Sequence, residues 1–158
     1  MSRQRLLART AADALATEDR SLPAARLRGL VMSHPAWIET SRLRGRLRVR
    51  WQALFRDIDL LLCPPMPTVA FPHDHSPWTS RTLAIDGKTV PYENQIAWSA
   101  PATLCGLPAT VAPIARSGDG LPIGVQIVGG YLQDLTTIAF AGLLEQAFGG
   151  LGAPPNLG

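Results

Sequence analysis

Few residues in this sequence have the company that chemistry demands. A side-chain nucleophile needs a base within hydrogen-bond reach and donors aimed at the charge that develops during attack. Ser99 stands between Trp98 and Ala100, and Ser117 opens a Ser-Gly-Asp-Gly turn. Neither has the flanking glycines of a nucleophile elbow. Lys88 is the only lysine, and it follows Asp86-Gly87 in a solvated turn unsuited to a catalytic base. There is no Ser-Ser pair and no Gly-Gly-Ser element. No residue is therefore assigned a catalytic role.

Other reactive types are scattered. His73-Asp74-His75 alternates as metal ligands can, but two cysteines and no identifiable third ligand leave the zinc pattern incomplete. The competing reading is a polar loop beside a binding cleft, with His73 or His75 lining it. Cys105, before Gly106, reads as a small buried side chain, and no local signature supports a Cys–His nucleophile. Trp78 and Trp98 suit either core packing or the wall of a substrate channel. Glu93 and Asp119 are isolated carboxylates, simplest as caps or solvated charges. Neither a metal nor a cofactor is expected.

The elements that must position these groups follow from periodicity and punctuation. Helices are expected over 3–19, 24–33 and from Pro35 to about 56, with Ser21-Leu22-Pro23 as a stop between the first two. The stretch 42–50 alternates Arg with apolar residues like a strand, but Leu43, Leu47, Trp51, Leu54, Phe55 and Ile58 keep helical spacing over a longer window. The apolar run 59–65 ends in two prolines and suits a strand buried on both faces, opening into a Pro-, His- and Trp-rich loop over 66–80. Open α/β sheets place ligands at such strand ends. A hairpin is expected about Asp86-Gly87, then a helix over 92–104 ended at Gly106. Strands over 108–115 and 122–129 flank the turn at Ser117, with Val111, Ile114, Val125 and Ile127 giving the β-branched content of a central strand. A last helix runs over 133–148 with Asp134 as its cap, and 151–158 reads as a frayed tail.

A 46% hydrophobic fraction is enough for a core and excludes global disorder. No apolar run is long enough to cross a bilayer, and the N-terminus lacks a signal core, so a soluble cytoplasmic protein is expected. Two cysteines fit a reducing compartment. The +3 charge comes from arginine almost alone, without an aromatic stacking platform, so nucleic-acid binding is not expected. The arginines of 42–50 read as a solvated face.

Gly-Leu-Pro-Ala-Thr-Val-Ala-Pro from Gly106, Asp-Gly-Leu-Pro-Ile-Gly-Val-Gln-Ile-Val-Gly-Gly from Asp119 and an Asp-led helix with Ala-Phe-Ala-Gly-Leu-Leu-Glu145 carry a resemblance. With Asp59-Leu-Leu-Leu-Cys-Pro-Pro before them, they resemble the C-terminal part of amidase signature enzymes over most of residues 35–148. Thr103 departs from the pattern, which often has Asn there. The resemblance implies part of an α/β/α sandwich about a mixed sheet. It also implies hydrolysis of carboxylic amides by a nucleophilic Ser, a bridging Ser and a Lys base, all in the family's N-terminal half. Residues 1–158 then form a single segment, the C-terminal portion of an amidase domain. It supplies half of the sheet and one pocket wall, with Trp98 and Tyr92 as wall candidates. The chain alone is expected to be inactive, and its partners would be a small amide substrate and either the missing N-terminal half or further copies of itself. DNA upstream of Met1 is expected to encode that half. The alternatives are a non-catalytic truncated product or packing module and an amidotransferase-type subunit that works with partners.

Overall fold

The computed structural model describes residues 3–15, 18–150 and 152. These fall into two compact units, one through Gly45 and one from Arg46 onward. The tail expected to fray lies, apart from Gly152, outside the described residues.

In the first unit α1 (Arg3–Leu15) packs on α2 (Leu22–Leu30). The sequence Ser21-Leu22-Pro23 starts α2 and does not act as a stop. The Ser21 hydroxyl accepts the Ala24 N–H at 3.4 Å, and Pro23 sits in the first turn, where its missing N–H costs nothing. The division between units falls within α3 (His34–Leu54). Residues 42–50 are helical throughout, as the longer apolar spacing requires.

The second unit holds a three-stranded antiparallel sheet in the order β1-β5-β4, from β1 (Leu60–Cys63), β4 (Ala109–Arg116) and β5 (Pro122–Gly129). β2 (Thr82–Ile85) and β3 (Lys88–Pro91) form a separate hairpin. Asp86 and Gly87 both have positive φ, 50° and 73°, the type I′ geometry that an Asp-Gly pair selects. Pairing Leu61 with Val128 and Leu62 with Ile127 assigns alternate residues to opposite faces. On one face Leu61 and Val128 meet Ala102, Cys105 and Leu107, with Leu47, Trp51 and Phe55 of α3 packed against them. On the other lies α5 (Asp134–Phe148), packed on β4 and β5. This unit is thus helix, sheet, helix in section.

Four expectations need correction. The run expected as a strand buried on both faces gives an edge strand of the described sheet, with Leu62 48% exposed, because α5 lies over β4 and β5. β4 is also an edge, so Val111 is exposed; Ile114 falls where the register shifts between Pro113 and Ala115. Pro113, lacking an N–H, is tolerated at such a position. Residues 92–104 do not form one helix. A 3₁₀ stretch, Tyr92–Ala97, precedes α4 (Ala100–Cys105), because Pro101 has no N–H to continue an i→i−4 ladder. Finally, Gln133 occupies the cap of α5, and Asp134 is its first helical residue, a carboxylate in the turn the helix dipole favours.

Candidate functional site

The chemistry-bearing side chains are placed by three local arrangements. At the C-terminal end of β1 the chain turns through Pro64 and Pro65 and forms, with the start of β5, a pocket of about 350 Å³. Pro65, Met66, Thr68, Val69, Ile123 and Gly124 line it. Its surface is mostly apolar, which suits an organic group better than a reacting centre.

Beyond it the loop of 71–81 is tied internally. The Asp74 carboxylate accepts the Ser76 N–H at 2.8 Å, and Arg81 Nε donates to the Ser76 carbonyl at 2.7 Å. The Ser76 hydroxyl and backbone N–H hold the Asp74 carboxyl below its ordinary value, and the Arg81 and His75 charges act the same way. Stability from this turn is therefore present above the ordinary carboxylate range and is lost as pH falls through the lowered value. Tyr92 anchors the loop from the other side, meeting Trp78 edge-on at 4.8 Å and Phe71 at 5.9 Å, with Arg81 5.8 Å from its ring. His73 and His75 are exposed, their rings 6.1 Å apart. Neither they nor Tyr92 line the Pro65–Ile123 pocket.

Trp98 lies elsewhere. It borders a second pocket of about 210 Å³ with Trp51, Leu61, Cys63 and Pro101. Gln126, 5% exposed, explains its placement: Nε2 donates to the Trp98 carbonyl at 3.1 Å and contacts Cys63 Sγ at 3.2 Å. Sequence reasoning passed over Gln126. A polar residue amid the β-branched run of β5 was its one signal, since a buried amide must find partners.

The structure therefore groups Tyr92 with the loop that carries His73 and His75 and sets Trp98 in a different pocket. The serines are engaged with backbone. Ser99 Oγ donates to the Ile96 carbonyl at 3.3 Å, and Ser117 Oγ accepts the Leu121 N–H at 3.1 Å, closing its turn. Lys88 is exposed on β3. Among the described residues no three His, Cys, Asp or Glu side chains converge as metal ligands, and no helix is long and apolar enough to cross a membrane.

The sequence pattern of the family described as Amidase matches residues 10–138. The chain belongs to the amidase family. It is 32% identical over 111 residues to the A-subunit of glutamyl-tRNA(Gln) amidotransferase from Granulibacter bethesdensis, covering 70% of this chain and 20% of that protein. Over 95 residues it is 38% identical to fatty-acid amide hydrolase 2-A of Danio rerio, covering 60% of this chain and 15% of the relative. A crystal structure of an amidase superposes on 92% of this chain with a TM-score of 0.65 at 25% identity, using 32% of its own length. This chain is thus an amidase-family segment, spanning 20% or less of the two curated relatives just named. The family's Gly-Leu-Pro element has a structural basis here: Gly106, at φ 63°, ends α4 in a left-handed turn that a side chain would strain.

Proposed function

We propose that residues 1–158 form the C-terminal portion of an amidase domain that hydrolyses a carboxylic amide when complete. This portion supplies three strands, their flanking helices and one wall of the substrate pocket. The nucleophilic serine, bridging serine and lysine base come from the complementary segment. The observation that carries the reading is an amidase-family chain whose lone lysine sits exposed on a hairpin while Ser99 and Ser117 bond only backbone among the described residues. Acyl transfer needs a hydroxyl and base within about 3 Å of each other.

The pocket at the end of β1 is concave and mostly apolar, the character of small-molecule sites, so Met66, Val69 and Ile123 contact the organic part of the amide. Trp98, held by Gln126, and the Tyr92 loop with His73 and His75 add to the wall once the complementary segment is present. The reaction needs only serine, lysine and water, so no cofactor is invoked. Free Cys63 and Cys105 favour a cytoplasmic setting.

The purified chain is expected to turn over no aryl or aliphatic amide and to take up no serine-directed covalent probe. Turnover abolished by Ser99→Ala or Ser117→Ala would overturn the proposal and make this chain an independent enzyme. A second reading, an amidotransferase-type subunit, draws support from the relatives that carry that name. Amide nitrogen passing to an acceptor in the complete assembly, and not to water, would select it.

A further inference from the structure

We propose that the groove between β1 and α5 is the seat of a helix from the complementary amidase segment. The inference rests on the function proposed above and assigns a place to the partner.

The sheet face under α5 is only partly covered. Strands lie about 4.8 Å apart, and a helix with its side chains is about 10 Å across, so one helix covers roughly two strands. α5 packs on β4 and β5, fixed there by a 2.9 Å hydrogen bond between Thr110 and Thr137. The pairing register sets Leu62 of β1 on the same face as Ile127 and Thr110, and Leu60 shares it by alternation. That face continues past α5, and Leu62 is 48% exposed on it.

The side of α5 turned toward β1 completes the groove. Leu135, Ala139 and Leu143 recur at the spacing of a helix ridge, and with Phe140 and Leu60 they bound a space of about 480 Å³. Leu135 and Leu143 are exposed by 81% and 59%. Ala139, between them, lets a second helix approach to the 8–10 Å separation of packed helices. Among the described residues Asp59 is the only charged one lining the groove, so an apolar surface fits it and a polyanion does not. The occupant follows from coverage: 92% of this chain superposes on 32% of a solved amidase, which leaves two-thirds of that fold to be supplied.

The test installs a photoreactive benzoylphenylalanine at Leu143, and separately at Ile123 in the pocket wall, in the tagged chain expressed in the organism that makes it. Crosslinked peptides are identified by mass spectrometry. Both positions are expected to capture amidase-type sequence outside residues 1–158, and adding Leu135→Asp should lower the yield at position 143 at least ten-fold. The yield at 123 in that variant, together with its melting profile, shows that the chain still folds. Capture of a second copy or an unrelated protein at 143 would overturn the proposal, as would no capture there. Amidase-type capture at 123 alone would leave the proposed function standing and remove this docking site. Absence of amidase-type capture at both would remove both.

Discussion

Gly129→Ala is expected to destabilise the chain by about 1–3 kcal/mol, the usual range for forcing a methyl into a packed site. In a chain of this size that lowers the melting temperature by roughly 2–12 °C. A Cβ at Gly129 would lie 2.7 Å from Thr137 Cγ2, closer than real Cβ contacts come. Thr137 cannot swing away cheaply, because its hydroxyl is bonded to Thr110 at 2.9 Å and to the Asp134 carbonyl at 2.8 Å, and the residue is 1% exposed. Glycine at 129 thus sets how closely α5 lies on β5. The discriminating variant is Gly129→Ala with Thr137→Ser, which deletes the clashing methyl and keeps the hydroxyl. The pair should recover at least half of the loss in thermal melts, a coupling of about 1 kcal/mol or more. A neutral Gly129→Ala would mean that the helix sits farther from the sheet than described.

Arg48→Ala should cost about 2–3 kcal/mol, because it removes a charged hydrogen bond and a cation–π interaction together. Arg48 Nε donates to the Cys105 carbonyl at 2.8 Å, at the end of α4, where the helix has no further N–H to offer. Its guanidinium lies 4.6 Å from the Tyr131 ring centre. Arg48→Lys should recover less than half, since an ammonium reproduces neither the planar stacking nor the fixed donor direction. Exposed Arg46 and Arg50 on the same helix are the controls, and their alanine variants should stay within about 0.5 kcal/mol of the parent. Urea unfolding midpoints of the four variants measure this. Equal effects at all three arginines would return Arg48 to the solvated face.

These two positions mark where the sequence stops being readable. Local chemistry was legible: Asp86-Gly87 dictated its turn, the Ser117 turn joined two apolar strands, and Gly106 ended a helix. The arginine stripe looked uniform because nothing within it distinguishes Arg48, whose partner lies at residue 105. The burial expected for β1 failed for a related reason, since an apolar run records what a strand can tolerate and not how many neighbours it receives. Pro101 carried the signal that should have divided residues 92–104. The site fared less evenly. Trp98 borders a pocket, but His73 and His75 are exposed with their rings 6.1 Å apart, and alternation could not say which way a loop side chain points. Gln126, which positions Trp98, was hidden inside a strand pattern read for its apolar residues.

The central claim is that this chain is the scaffold portion of an amidase whose nucleophile lies outside it. The most direct measurement treats cells carrying the tagged chain at its native locus with a serine-directed covalent probe, recovers the tagged material and maps the labelled serine by mass spectrometry. The account predicts a single labelled serine in amidase-type sequence outside residues 1–158, either continuous with this chain or co-purifying with it. A label on Ser99, Ser117 or any other serine of this chain would contradict it.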